Sequence, residues 1–395
     1  MQVKALTSLA LLSTAGFSSS LAAVELEGFI KHQDIYQQEL TDTDHHALLS
    51  RFLIRHSWQT SDSSSLLLEG ISAYDSSYDN QTYSVERNTA DIHQLIFKTV
   101  VADTSISLGR HVWSIGNQRQ LGKREGTNVR RRFDGVLLDQ QLSSDTTVSF
   151  YYGYSVKSKA KALDDSRDQD LTASGIIFRK QQLLVHAVNY RDSRGQSQDD
   201  IYAIETEYQH KVEAFEAFYQ LIYQFGDRGP QQLSAWFSQL EWAYTLAQHR
   251  LSLTASYASG GNAQDEDSHE FQPLFAKAPY YSEAGVFATT NIQHIGLGWL
   301  YQVTENFSLG LDAKKLYKVK QNGAIYGPGQ SLLLPANQSS GNALANNYSF
   351  KSEYKFSPHI SLELVASFID IQNGSNQSPA LRNSSFFETM LHYRF

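Results

Sequence analysis

Arg250-Leu251-Ser252-Leu253-Thr254-Ala255-Ser256-Tyr257 alternates polar and apolar at every step. Side chains of a β-strand point to opposite faces in turn, so this stretch reads as a strand with one apolar face. The same period of two recurs along the chain. Tyr348, Phe350, Tyr354 and Phe356 alternate with Lys351, Glu353 and Lys355. Ile295, Leu297, Trp299 and Tyr301 alternate with His294, Gly296 and Gly298. Val148, Phe150, Tyr152 and Tyr154, and Ile360, Leu362, Leu364, Ala366 and Phe368, repeat the pattern. Two segments, Leu171 to Arg191 and Asp134 to Leu142, do not declare which side faces where. The chain stops on Phe387, Thr389, Leu391, Tyr393 and Phe395 sharing one face, opposite Met390, His392 and Arg394.

The connections alternate in length. Short turns are expected at Ser61–Ser64, Ala102–Thr104, Ser143–Asp145, Lys180–Gln182, Lys211–Val212, Gln248–His249, Thr304–Asn306 and Ser357–His359. Long polar connections are expected at about Tyr36–His46, Asp75–Asn88, Ser114–Arg131, Lys157–Gln169, Asp192–Asp200, Gly226–Gln231, Gly260–Glu283, Gln321–Gly341 and Asn373–Asn383. Short turns at one end and long loops at the other are the signature of an outer-membrane β-barrel. Counting gives about 18 strands, an all-β transmembrane antiparallel barrel with short periplasmic turns and long extracellular loops. A final amphipathic strand ending in Phe395 fits the terminal signal read by the barrel-assembly machinery, an expected partner. Outward Leu, Val, Tyr and Trp rows would meet outer-membrane lipid and lipopolysaccharide. Inward Lys31, Arg51, Arg55, Glu205, Glu207, Glu241, Lys314, Lys351, Glu353 and Lys355 would line a hydrated lumen.

Composition bounds the function. The chain has 395 residues, 12% aromatic and 19% charged, with no Cys and a formal charge of −8. The aromatic content argues against disorder. Lack of Cys removes disulfides, thiolate catalysis and Cys-ligated zinc. The acidic balance argues against nucleic-acid binding. Residues 1–23 read as a signal peptide: Lys4 precedes the small and apolar run Ala5 to Phe17, and cleavage is expected near Ala22 or Ala23. Residues 24–395 then form one barrel domain, with 32 basic against 41 acidic residues, or −9. The mature protein is expected in the bacterial outer membrane.

One basic island stands out. Arg110, Arg119, Lys123, Arg124, Arg130, Arg131 and Arg132 are opposed only by Glu125 and Asp134 between residues 110 and 134. That is +5 within a chain of −9, and a low-dielectric pore wall would focus such a field. Arginine forks bind carboxylates bidentately, so a carboxylated sugar polymer is a chemically matched cargo. The plainer reading is a solvated loop or one touching lipid phosphates. Simple alternation places Arg110 with Ile106 and Leu108 on the lipid side; either Gly109 permits a bulge or Arg110 sits at the polar rim.

Leu108-Gly109-Arg110-His111, Gly116-Asn117-Gln118-Arg119-Gln120-Leu121 and Arg131-Arg132-Phe133-Asp134-Gly135-Val136 together resemble motifs of the alginate-export-like outer-membrane family. A second region of likeness is Gly260-Gly261-Asn262, Phe271-Gln272-Pro273-Leu274 and Tyr280-Tyr281-Ser282-Glu283-Ala284-Gly285. The resemblance implies an 18-stranded porin with an arginine-lined constriction passing an anionic polysaccharide or oligosaccharide, alginate-like uronates first. Arg110, Arg119, Arg132 and Asp134 carry over by motif. His111 and Asn117 depart from it, standing where the family usually has Gln and Asp. The pore set is then Arg110, Arg119, Lys123, Arg124, Arg130, Arg131, Arg132 and Asp134, with Arg51, Arg55, Lys314, Lys351 and Lys355 as further lumen residues. Asp134 would orient Arg132.

Other readings have less behind them. No catalytic residue, cofactor or metal is expected. Asp265, Asp267 and Glu270 offer a weak Ca²⁺ site without the spacing of an EF-hand loop. There is no Gly-x-Ser-x-Gly elbow and no phosphate-binding Gly-rich loop. The alternatives are a general porin for small anionic or neutral solutes, a surface adhesin, or a barrel-embedded hydrolase.

Overall fold

The computed structural model of the protein describes residues 24–37, 45–77, 85–195, 198–262, 264–277, 280–338, 341–372 and 381–395. The signal-peptide reading of residues 1–23 lies outside them. In chain order the strands are β1 Glu25–Gln37, β2 His45–Ser61, β3 Ser64–Asp75, β4 Asn88–Val101, β5 Thr104–His111, β6 Phe133–Ser143 and β7 Thr146–Lys157. Then come β8 Ser166–Lys180, β9 Leu183–Asp192, β10 Asp199–Val212, β11 Phe215–Arg228, β12 Gln231–Leu246, β13 His249–Ala258 and β14 Ile292–Thr304. The last are β15 Phe307–Lys318, β16 Ile325–Tyr326, β17 Leu332–Leu334, β18 Ala343–Ser357, β19 Ile360–Ile371 and β20 Ser384–Arg394. Eighteen of these pair antiparallel, each with its neighbour along the chain, while β16 and β17 form a small hairpin of their own. β1 pairs with β20 from Glu27↔Arg394 to Gln37↔Ser384, which closes the ring. Closure leaves no strand edge in the hydrocarbon, where an unsatisfied backbone group is costly.

The outward face is apolar, as the alternation requires. Ile30, Leu48, Phe52, Phe97, Leu108, Phe150, Ile204, Leu221, Leu297, Phe350 and Phe387 are exposed on it. Tyr208, Tyr219, Trp242 and Tyr244 lie toward the end with the short turns and form part of an interface belt. Two connections differ from the sequence reading. The turn expected at Lys211–Val212 falls two residues later, after β10 has run to Val212, with Glu213 at φ 50°. Gly226–Gln231 is no long loop. β11 continues through Gly226, at φ 117°, to Arg228, and only two residues separate it from β12.

The interior is not simply a water-filled tube. Trp113, Ile115, Leu121, Phe271 and Phe275 from two long loops pack with Phe133, Leu171, Ala173, Ile177, Val188, Ile201, Ile222, Leu233 and Phe237 of the inner wall. This explains why Leu171 to Arg191 gave no clean facing: both sides of β8 and β9 are apolar because one meets lipid and the other meets folded loops. A second cluster, built on Tyr281, Phe287, Ile292, Leu316, Ile325, Leu344 and Ile369, fills the neighbouring sector.

Candidate functional site

Residues 112–132, between β5 and β6, fold into the lumen and cross it. On one side Asn117 donates its backbone N–H to Glu207 of β10 at 2.6 Å and its side-chain amide to Gln239 of β12 at 3.2 Å. On the other side Arg130 binds Glu27 of β1 at 2.6 Å, and Lys31 of β1 donates to the Gly126 carbonyl at 3.2 Å. β1 and β10 are nine places apart either way round the eighteen-strand ring. The loop therefore spans opposite walls. Gly116 permits the docking on β10: it has φ 51°, and a Cβ there would lie 2.5 Å from the Glu207 carboxylate.

The β10 anchor is built from uncharged hydrogen-bond donors and burial around a carboxylate pair. Tyr190 donates its hydroxyl to the Gln120 carbonyl, and Gln224 reaches the Gln120 side chain at 3.4 Å. Gln220 donates to both Glu205 and Glu207. His186 joins Glu205, at 3.0 Å, to the Tyr151 hydroxyl, at 2.8 Å. The second inserted loop locks on here: Gly122 donates to the Phe275 carbonyl and Lys277 to the Gln118 carbonyl, both at 2.8 Å. Arg119 is 4% exposed and stacks on Tyr280, 3.8 Å from guanidinium to ring centre. Burial pushes the Arg119 guanidinium down, and its Nε and one terminal nitrogen have no hydrogen-bond partner among the described residues.

The anchor at β1 and β2 is ionic. Glu125 lies among Arg130 (2.7 and 2.8 Å), Lys123 (3.1 Å) and Arg51, which also binds it directly. Burial pushes the Glu125 carboxyl up, but hydrogen bonding and charge from Arg130 and Arg51 outweigh it and hold it well below the usual carboxylate range. Beneath lies a cavity of about 780 Å³, open toward the short turn Ser357–Ile360 and so toward the periplasmic end. Its lining includes Arg51, Arg55, Lys123, Arg130 and Lys355, with Glu27, Glu125, Glu353 and Glu363 among them. A second cavity of about 720 Å³ lies against the opposite wall, lined by Asn117, Glu207, Lys211, Glu241 and Arg250.

Five of the basic residues named from sequence thus meet in one cavity: Arg51, Arg55, Lys123, Arg130 and Lys355. Lys314 pairs with Asp312 at 2.6 Å elsewhere on the inner wall, and Lys351 pairs at 2.8 Å with Glu363, which lines this cavity. Arg131 stacks on Phe275 at 4.8 Å, and Arg124 is pushed down to about 10 by burial within the loop. Arg110 and Asp134 depart from the pore reading. The register sets Arg110 opposite Leu95 and Asp134, on the outward face with the exposed Leu108, and shows no bulge at Gly109. There Arg110 forks onto Asp134 at 2.7 and 3.1 Å, a rim pair rather than a lumen pair. Arg132 is fully buried and is oriented not by Asp134 but by Asp165 at 2.6 Å and Ser158 at 2.6 Å.

The weak calcium site does not assemble. Glu270 binds Arg228 at 2.6 Å and accepts from Tyr326, while Asp265 accepts the Asn262 N–H at 2.8 Å. Among the described residues the carboxylates that converge are Asp91, Asp164 and Asp165. Sequence reasoning treated Glu125 only as a charge opposing the basic island and gave Glu27 no role. The available signal was a lone carboxylate inside a run of seven cations.

Solved structures share this architecture at low identity. OccAB3 of Acinetobacter baumannii superposes with a TM-score of 0.67 at 8% identity, covering 94% of this chain and 98% of that one. OccK9 (OpdG) of Pseudomonas aeruginosa gives 0.66 at 12% identity, covering 95% and 98%. OpdK of the same organism, crystallised with vanillate, gives 0.63 at 10% identity, covering 94% and 98%. No curated protein matches the sequence. The alginate export family profile matches residues 33–375, nearly the whole chain. With its closed barrel and that match, the chain belongs to the alginate export family of bacterial outer-membrane β-barrels.

Proposed function

We propose that the protein is a passive channel for a carboxylated oligo- or polysaccharide, uronates of the alginate type first. The supporting observation is the cluster of Arg51, Arg55, Lys123, Arg130 and Lys355 around one water-accessible cavity in the lumen. Guanidinium forks match carboxylates, and a row of such partners lets a polyanion move by exchange instead of binding once. Channel function needs no covalent step and no cofactor. The test is conductance of the purified chain in planar bilayers, with and without alginate oligomers. Block that deepens with the number of uronate units is expected; a cation-selective pore indifferent to uronates would overturn the reading.

A second reading, a porin for small carboxylated solutes, draws on the folded loops inside the barrel and on the vanillate in the OpdK crystal. The same experiment separates the two, because small-solute traffic predicts equal block by uronate monomer and trimer.

A further inference from the structure

We propose that the Arg51–Arg130 pair is a carboxylate subsite, filled here by the chain's own Glu125, which a uronate unit of an oligosaccharide displaces. The inference rests on the uronate reading above and assigns its specificity to named atoms.

Three observations converge. Glu125 is held as an incoming carboxylate would be: both of its oxygens are taken by Arg130, one is shared with Arg51, and Lys123 closes the third side. It comes from the crossing loop, as does Arg130, whereas Arg51 belongs to the wall, so the Arg51 contact is the one that joins two separable parts. The Glu125 side chain is 33% exposed although those of Arg51 and Arg130 are 3% and 9% exposed, and it lines the cavity, from which it can be replaced.

Arg51 forms no other ion pair among the described residues, so whatever removes Glu125 must supply another carboxylate. Arg130 keeps Glu27 as a second partner at 2.6 Å. Arg51 has its Nε and one terminal nitrogen buried without a hydrogen-bond partner among the described residues, so two of its donors are not satisfied by Glu125. Replacing one carboxylate by another leaves the number of buried ion pairs unchanged. The desolvation of the incoming carboxylate is offset by the return of Glu125 to water, and that desolvation is the step that usually makes buried pairs costly.

Competition follows from tethering. A glutamate on a short loop has an effective concentration of roughly millimolar order, so a single sugar acid competes poorly. An oligomer brings neighbouring carboxylates to Arg55 and Lys355 in the same cavity and gains by multivalency. Displacement releases the loop from Arg51 on β2, while Arg130–Glu27 on β1 and the β10 end stay in place.

The experiment uses the full mature chain in planar bilayers with trigalacturonate and monomeric galacturonate as probes, comparing wild type with Glu125→Gln. In the variant the trimer should block at about fivefold lower concentration, and the monomer should become a detectable blocker. Equal half-blocking concentrations in the two proteins would overturn the subsite while leaving the uronate channel standing. No block of either protein would overturn both. Glu125→Asp, which keeps the charge on a shorter arm, should fall between them and serves if Glu125→Gln does not fold. The natural absence of Cys allows nitroxide labels at Gly126→Cys and Ser361→Cys in an otherwise unaltered chain. The trimer should lengthen that distance, and block without lengthening would overturn displacement.

Discussion

The two ends of the crossing loop are fastened in different ways. At β10 it is held by Asn117, Gln120 and Leu121 against Glu207, Tyr190 and a large apolar cluster. At β1 and β2 it is held by Glu125, Arg130 and Lys123 against Arg51 and Glu27, beside an open cavity. Hydrophobic burial is indifferent to salt in the physiological range, whereas water-facing ion pairs are screened and titrate. One end is thus fixed and the other is conditional, within a single loop of 21 residues between β5 and β6.

The strongest attempt to break this contrast is Trp113→Ala. Trp113 stacks on Phe133 at 4.8 Å and meets Tyr151 edge-on at 5.1 Å. Its truncation should cost about 3–5 kcal/mol at the fixed end, read as a lower unfolding temperature in detergent and as noisy, less closed single channels. If Arg51→Ala costs as much, the two ends are not different in kind.

Acid should act on the opposite end. Because the Glu125 carboxyl is held down in the folded protein, its contribution is complete above the ordinary carboxylate value of about 4.3 and is lost as pH falls below that toward the folded value. Conductance should therefore stay level down to about pH 4 and rise only as pH falls further into the acid range. A rise already complete at neutral pH would point to another group. Raising salt to about 1 M, where the screening length is about 3 Å, should weaken the same end at constant pH.

How much of this was readable in the sequence differs between wall and lumen. Strand count, closure and the outward face followed from residues such as Arg250 to Tyr257, because lipid outside and water inside enforce strict alternation. Alternation failed at Leu171 to Arg191, where folded loops replace water and make the inner face apolar as well. The basic island was visible as composition, and it does supply Lys123 and Arg130 to the cavity. Its division was not visible. Arg110 stays outside by strand parity, Arg132 is claimed by Asp165 from the connection between β7 and β8, and Arg51 joins from a distant strand. Those partners are set by tertiary contacts that no local spacing encodes.

Arg119→Lys sharpens the comparison at an intermediate scale. Lysine keeps the charge but not the planar stacking on Tyr280, a contact worth about 0.5–2 kcal/mol. The fixed end should loosen slightly, visible as faster amide exchange in residues 117–122, with uronate block nearly unchanged. The smallest effect is expected from Arg110→Lys. It loosens the fork onto Asp134 at the rim and should leave the reversal potential where it was. A shift in reversal potential would return Arg110 to the pore.

A hollow cylinder of hydrogen-bonded strands resists stretching along its wall but is easily squeezed out of round. A member joining points nine strands apart in an eighteen-strand ring acts as a diametral brace. While both of its ends hold, the cross-section has a set shape. When Glu125 lets go of Arg51, that end is tied to β1 alone, and the wall can become more oval without losing a single strand-to-strand hydrogen bond. The same unfastening that clears the passage would then also soften the tube around it, so that bore and stiffness vary together.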